Sequence, residues 1–130
     1  VEDETIELVT GGLLAKEGEG AYTLSYQESE LTGLEGTLTT FQIEDGRITL
    51  MRHGEVNSQM VFEEGRRHLS MYNTPYGALA VGIKTHRMDC RMDDHGGSIE
   101  INYAIEIEHA VAGQNLFQIQ VREKPPVLMQ

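Results

Sequence analysis

The sequence has little positive charge, one cysteine, no long apolar run and no recognisable helix. Ten Lys and Arg stand against 21 Asp and Glu, a formal net charge of −11 with His neutral. Such a field repels a phosphate backbone and an anionic lipid surface, which argues against nucleic acid and membrane as partners. Cys90 is the only cysteine. One thiol excludes an internal disulfide framework and suits a reducing compartment, so the expected location is the cytoplasm. No run of ~18 apolar residues is available to span a bilayer. The chain opens Val1-Glu2-Asp3-Glu4, without the basic and apolar regions of a signal peptide.

Familiar chemical motifs are missing too. His53, His68, His86, His95 and His109 form neither His-x-His nor His-Glu-x-x-His. His86, Cys90 and His95 lack the spacing of a structural zinc site, so no metal is expected. There is no Gly-x-Ser-x-Gly elbow and no phosphate-binding glycine loop. Cys90, between Met88 and Met92 on an apolar face, reads as an inert buried thiol. Glu28, Glu30 and Glu35 read as solvated loop charges. No catalytic residue and no cofactor is assigned.

What is present is alternation. Ile99, Ile101, Tyr103, Ile105 and Ile107 share one face, with Ser98, Glu100, Asn102 and Glu106 on the other. That period of two marks a half-buried strand. Tyr22, Leu24 and Tyr26 alternate in the same way, as do Thr37, Thr39, Phe41 and Ile43, and Ile48 and Leu50. So do Ser58, Met60 and Phe62, and Phe117, Ile119 and Val121. Asp45-Gly46 between two such runs predicts a hairpin. His53-Gly54, Glu64-Gly65, Gly96-Gly97 and Gly113-Gln114 predict further turns. Ser29 to Gly36 predicts a short helical turn or Ω-like loop. The apolar phase changes from odd (Leu79, Val81, Ile83) to even (Met88, Cys90, Met92), which predicts a bulge near Lys84 to Arg87. Turns every ~8–12 residues imply an all-β antiparallel meander of nine or ten strands, closing into a sandwich or barrel. A chain of 130 residues makes one such domain, 1–130, with a loose tail at 124–130.

Polar groups in apolar phase are the candidate site. Arg52 shares the phase of Ile48 and Leu50, Ser58 that of Met60 and Phe62, and Tyr26 and Glu28 that of Leu24. If this phase faces inward, these groups ring one mouth of the barrel. A buried Arg52 needs an acidic partner, and Glu28 is the candidate by type. Tyr72 and Tyr76 flank Pro75 as a possible rim over a cavity.

Several stretches together resemble a known family. These are Leu24-Ser25-Tyr26-Gln27-Glu28, Leu31 to Thr37, Arg52-His53-Gly54, Ser58 to Phe62 and Tyr72-Asn73-Thr74-Pro75-Tyr76-Gly77. In this order and spacing, from about Thr5 to Val121, they resemble the YwiB-like bacterial family of unknown function. The resemblance implies a calycin-like, lipocalin-like β-barrel in a small cytosolic protein. It brings no activity, cofactor or catalytic residue. Members of that family carry another strand ahead of the position matching Thr5 to Thr10. Its absence here would leave an edge that invites dimerisation, so monomer and homodimer both stay open.

A barrel of this size can enclose a small ligand. The expected function is non-enzymatic binding of an apolar or amphipathic small molecule among Phe41, Leu50, Met60 and Phe62. Tyr26, Glu28, Arg52, Ser58, Tyr72 and Tyr76 would surround it, and Arg52 would take an anionic group. The alternative is a protein-interaction module using the acidic surface or an open sheet edge. An enzyme with Glu28 or a Tyr as acid–base group ranks third.

Overall fold

The structure, a computed structural model, describes residues 5–54 and 57–124, with residues 71–74 described by their backbone alone. Nine strands follow in order: β1 (Leu13–Gly18), β2 (Ala21–Gln27), β3 (Thr37–Glu44), β4 (Arg47–Gly54), β5 (Ser58–Phe62), β6 (Arg67–Thr74), β7 (Gly77–Asp93), β8 (Gly96–Ile107) and β9 (Ala110–Arg122). A 3₁₀ turn, Glu30–Thr32, sits between β2 and β3, opened by the Ser29 side chain on the Leu31 N–H and closed by Gly33. The strands pair antiparallel in two sheets, β1 to β5 and β6 to β9, each in chain order. Among the described residues no strand pairing joins the two sheets.

The strand register stacks side chains into ranks across the first sheet. Tyr22, Ile43, Ile48 and Phe62 lie abreast, then Leu24, Phe41, Leu50 and Met60, then Tyr26, Thr39, Arg52 and Ser58. The first two ranks pack on the second sheet. Phe41, Ile48, Leu50 and Phe62 are fully buried, as is Ile101, and Ile83, Ile99 and Tyr103 are nearly so. The apolar alternation thus points inward, and burial of this continuous face supplies the main driving force for the fold. Tyr22 donates to Asp94 at 3.0 Å, just before β8, while Phe62 meets Tyr103 near its far end, ring centroids 5.0 Å apart. One rank of the first sheet therefore runs along β8, and the two sheets cross steeply.

The expected bulge is present. The β7–β8 register slips between Thr85 and Arg87, so His86 is the extra residue and the inward phase changes from Ile83 and Thr85 to Met88. The β5–β6 turn is bonded to this point, Gly65 N–H to the Thr85 carbonyl at 2.8 Å and Thr85 N–H to the Arg66 carbonyl at 3.1 Å. Glu63 binds Arg47 and His68 there, at 3.1 and 2.9 Å. Partial burial pushes its carboxyl up, but the Arg47 hydrogen bond and charge, with His68, outweigh that and hold it below its ordinary value.

Three expectations are corrected. Gly113-Gln114 is not a turn but lies within β9, where the register slips against Ile105 and Glu106. The turn is Glu108-His109, both with positive φ, a conformation His tolerates better than most residues. Gly96-Gly97 belongs to β8, and the turn is Asp94-His95. Cys90 is exposed, although it pairs with Ile99 on the inward side. β6 begins at Arg67, opposite Lys84, so beyond Lys84 this stretch of β7 is an edge among the described residues and one flank of Cys90 is open. Apolar neighbours that desolvate the thiol, and then Asp89, still raise its pKa.

Candidate functional site

The third rank is polar because of where it falls under the second sheet. Phe117, on the edge strand β9, meets Phe41 of the second rank at 5.9 Å between centroids. The next rank emerges beside that edge, so Tyr26, Arg52 and Ser58 are half-buried and Thr39 fully buried. Three of the side chains expected from sequence are therefore abreast in one row, with Met60 of the second rank, also half-buried, directly behind Ser58 on β5.

Glu28 closes the row from above. Its backbone N–H bonds the Thr37 carbonyl at 2.9 Å, continuing the β2–β3 ladder past its last paired residue. That keeps the Glu28 side chain in the inward phase of Tyr26. It is not a solvated loop charge, since only 2% of its side chain is exposed. Local chemistry makes this burial tolerable. Thr39 Oγ1 donates to Oε2 at 2.6 Å, and Thr32 Oγ1, from the 3₁₀ turn, donates to Oε1 at 3.0 Å. Hydroxyls that donate to a carboxylate offset much of its desolvation.

Arg52 is the expected partner of Glu28, but the pairing is loose. Its Nε lies 3.9 Å from Glu28 Oε2, and its side chain is 14% exposed. That nitrogen is buried and has no hydrogen-bond partner. A buried N–H without an acceptor costs about 1–3 kcal/mol, and guanidinium is built to give several such bonds in a planar fork.

Tyr26 completes the cluster. Burial, followed by the negative charge of Glu28 and a hydrogen bond to it, pushes its phenol up to about 12 against the opposing pull of Arg52. At neutral pH it is a hydrogen-bond donor with an apolar ring, and that ring stacks on Phe41 at 6.4 Å. The arrangement thus offers one part-exposed donor, the Arg52 guanidinium, beside the Tyr26 ring and half-buried apolar surface from Met60 and Phe117.

Tyr76 is not brought to this row. It sits in the β6–β7 turn of the other sheet and is 99% exposed. The side chain of Tyr72 lies outside the described residues. Phe41, Leu50 and Phe62, expected around a ligand, are fully buried among one another, Phe117 and Tyr103. Thr32 and Thr39, which hold Glu28, are not among the residues that sequence singles out. Thr39 had a signal, since it lies in the inward phase between Tyr26 and Arg52. The reach of Thr32 depends on the 3₁₀ turn and has no periodic trace. No helix among the described residues is long and apolar enough to cross a membrane.

The chain is similar to the uncharacterized beta-barrel protein YwiB of Bacillus subtilis (strain 168), 25% identical over 104 residues, which is 80% of this chain and 71% of that protein. No solved structure matches it. A family model for a domain of unknown function matches residues 1–119, nearly the whole described fold with its Tyr26–Glu28–Arg52 cluster, and the chain belongs to that family, DUF1934.

Proposed function

We propose that this protein is a non-enzymatic binder of a small amphipathic molecule, held where the third rank emerges beside β9. Arg52 carries the reading. Its Nε is buried without an acceptor while the side chain keeps 14% exposure, so a ligand oxygen that draws the guanidinium outward gives it the bonding it lacks in the free protein. Tyr26 and Ser58 flank it, and Met60 and Phe117 supply apolar surface. The ligand is small, because the ranks behind are filled by Phe41, Leu50 and Phe62. The proposal extends to a calycin-like closure of the two sheets in the cytoplasm, supported by the β-barrel description of the Bacillus subtilis relative. The test is native mass spectrometry of the full chain purified gently from its host. A stoichiometric added mass, lost in Arg52→Ala, is expected. The same added mass retained in Arg52→Ala would move the site elsewhere, and a bare chain mass in both would exclude a tightly held ligand.

A second reading is favoured by one observation. Ile6, Val9 and Leu13 are exposed along the approach to β1, by 64%, 98% and 75%, and β1 is a sheet edge. A partner strand could add there. Capture of a basic protein that salt releases, unaffected by Arg52→Ala, would support this reading against the first.

A further inference from the structure

The geometry points to a ligand whose polar end is an uncharged hydrogen-bond acceptor, an amide, ketone or ester oxygen, and not an anion. This rests on the binding site proposed above and names the class of ligand it takes. Arg52 viewed alone favours a carboxylate or phosphate, because guanidinium matches both. Glu28 changes that. Its carboxylate lies 3.9 Å from Arg52 Nε, held by Thr39 from β3 and by Thr32 from the 3₁₀ turn, whose one hydroxyl proton is shared with the Ser29 carbonyl. The pair is therefore electrically neutral as a unit. An incoming anion close enough to accept from Arg52 is also within a few ångströms of Glu28, and in this half-buried place attraction and repulsion are comparable. It would lose its hydration without a compensating charge. The formal net charge of −11 adds repulsion at longer range.

A neutral oxygen meets no such penalty. It has less hydration to lose, and it accepts from the part-exposed Arg52 guanidinium, whose Nε is left unbonded by Glu28. Tyr26, whose O–H goes to Glu28 and stays protonated across the neutral range, flanks the same group with its ring. A cation is disfavoured from the other side, because the Glu28 oxygens already accept from Thr32 and Thr39 and its side chain is only 2% exposed.

The experiment compares hexanamide, hexanoate and hexylamine as probes of equal chain length, titrated at pH 8 into the full wild-type chain and followed by NMR shifts of Arg52 and Tyr26. Hexanamide is expected to bind at least ~10-fold more tightly than hexanoate, the size of effect one nearby like charge produces. Glu28→Gln keeps an oxygen for Thr39 and removes the charge, so in that variant hexanoate is expected to overtake hexanamide. The wild-type comparison stands by itself if the variant does not fold. Hexanoate binding as tightly as hexanamide in the wild type would keep the site and overturn the neutral head group. Hexylamine binding tightest would overturn it in favour of Glu28 as the contact. Shifts from none of the three would remove the binding site itself, and this inference with it.

Discussion

Arg52 and Glu28 form an ion pair that is almost sealed from water yet loose, with Nε to Oε2 at 3.9 Å and side-chain exposures of 14% and 2%. The acid is bonded by threonine hydroxyls on both oxygens, while the base leaves Nε unbonded. The two partners therefore fail differently when removed. Glu28→Ala strips Thr39 of its acceptor and leaves Arg52 uncompensated, and is expected to cost about 3 kcal/mol. Arg52→Ala leaves a carboxylate that still accepts two hydroxyl bonds, and is expected to cost less, about 1–2 kcal/mol. Urea midpoints of the two variants check the order, and a larger loss for Arg52→Ala would show that the pair, not the hydroxyls, holds Glu28.

Two fully buried threonines separate satisfied from unsatisfied hydroxyls. Thr39 donates to Glu28, whereas the Thr85 hydroxyl, at the β7 bulge, has no partner. Valine preserves the shape of both side chains. Thr39→Val is expected to destabilise by about 1–3 kcal/mol, and Thr85→Val to be neutral or stabilising by up to about 1 kcal/mol. Thermal melting of the two variants decides this.

Tyr26 gives the pH dependence. Its phenol is pushed from its ordinary 10.0 up to about 12 in the folded chain. A raised pKa means that the folded state holds its proton more tightly than the unfolded state. The resulting stability is complete below pH 10 and is lost as pH rises through about 12. Ultraviolet titration of phenolate is expected to show a late phase near pH 12, absent in Tyr26→Phe. A late phase that survives this substitution would assign it to another tyrosine.

The fold was legible where period and punctuation agreed. The inward runs Thr37–Ile43 and Ile99–Tyr103 name their own buried faces, because a strand alternates strictly. Even the β7 bulge appears in the sequence, as the change of phase between Ile83 and Met88. Closure between sheets leaves no such mark, since it depends on partners far apart in the chain. Tyr26, Arg52 and Ser58 could be placed in one phase, and register then put them in one row. Glu28 was legible by type but not by burial, because the hydroxyls of Thr32 and Thr39 that stabilise it arrive from other elements. Gly113 misled because glycine marks bulges as well as turns, and Glu108-His109 turns the chain without any glycine.

That distinction between glycines is itself testable. Gly97 has φ +152°, and a Cβ there would run into the Arg91 carbonyl oxygen. Gly113 has room for a Cβ, which would make an ordinary contact with the Asn115 side chain at 3.8 Å. Gly97→Ala is expected to cost more than about 2 kcal/mol, and Gly113→Ala less than about 0.5 kcal/mol. Equal losses in urea melts would argue against the bulge assignment in β9.

Completion of the Arg52 hydrogen bonding by a ligand is read from the Arg52 Nε–H resonance. The full chain is titrated with a small-molecule extract of its host and followed in a nitrogen-correlated NMR spectrum. A downfield move of that resonance, with changes at Tyr26, Ser58 and Met60, is the expected result. An Arg52 resonance that stays fixed while the extract saturates the protein elsewhere, or while nothing moves, would show that Arg52 binds no ligand.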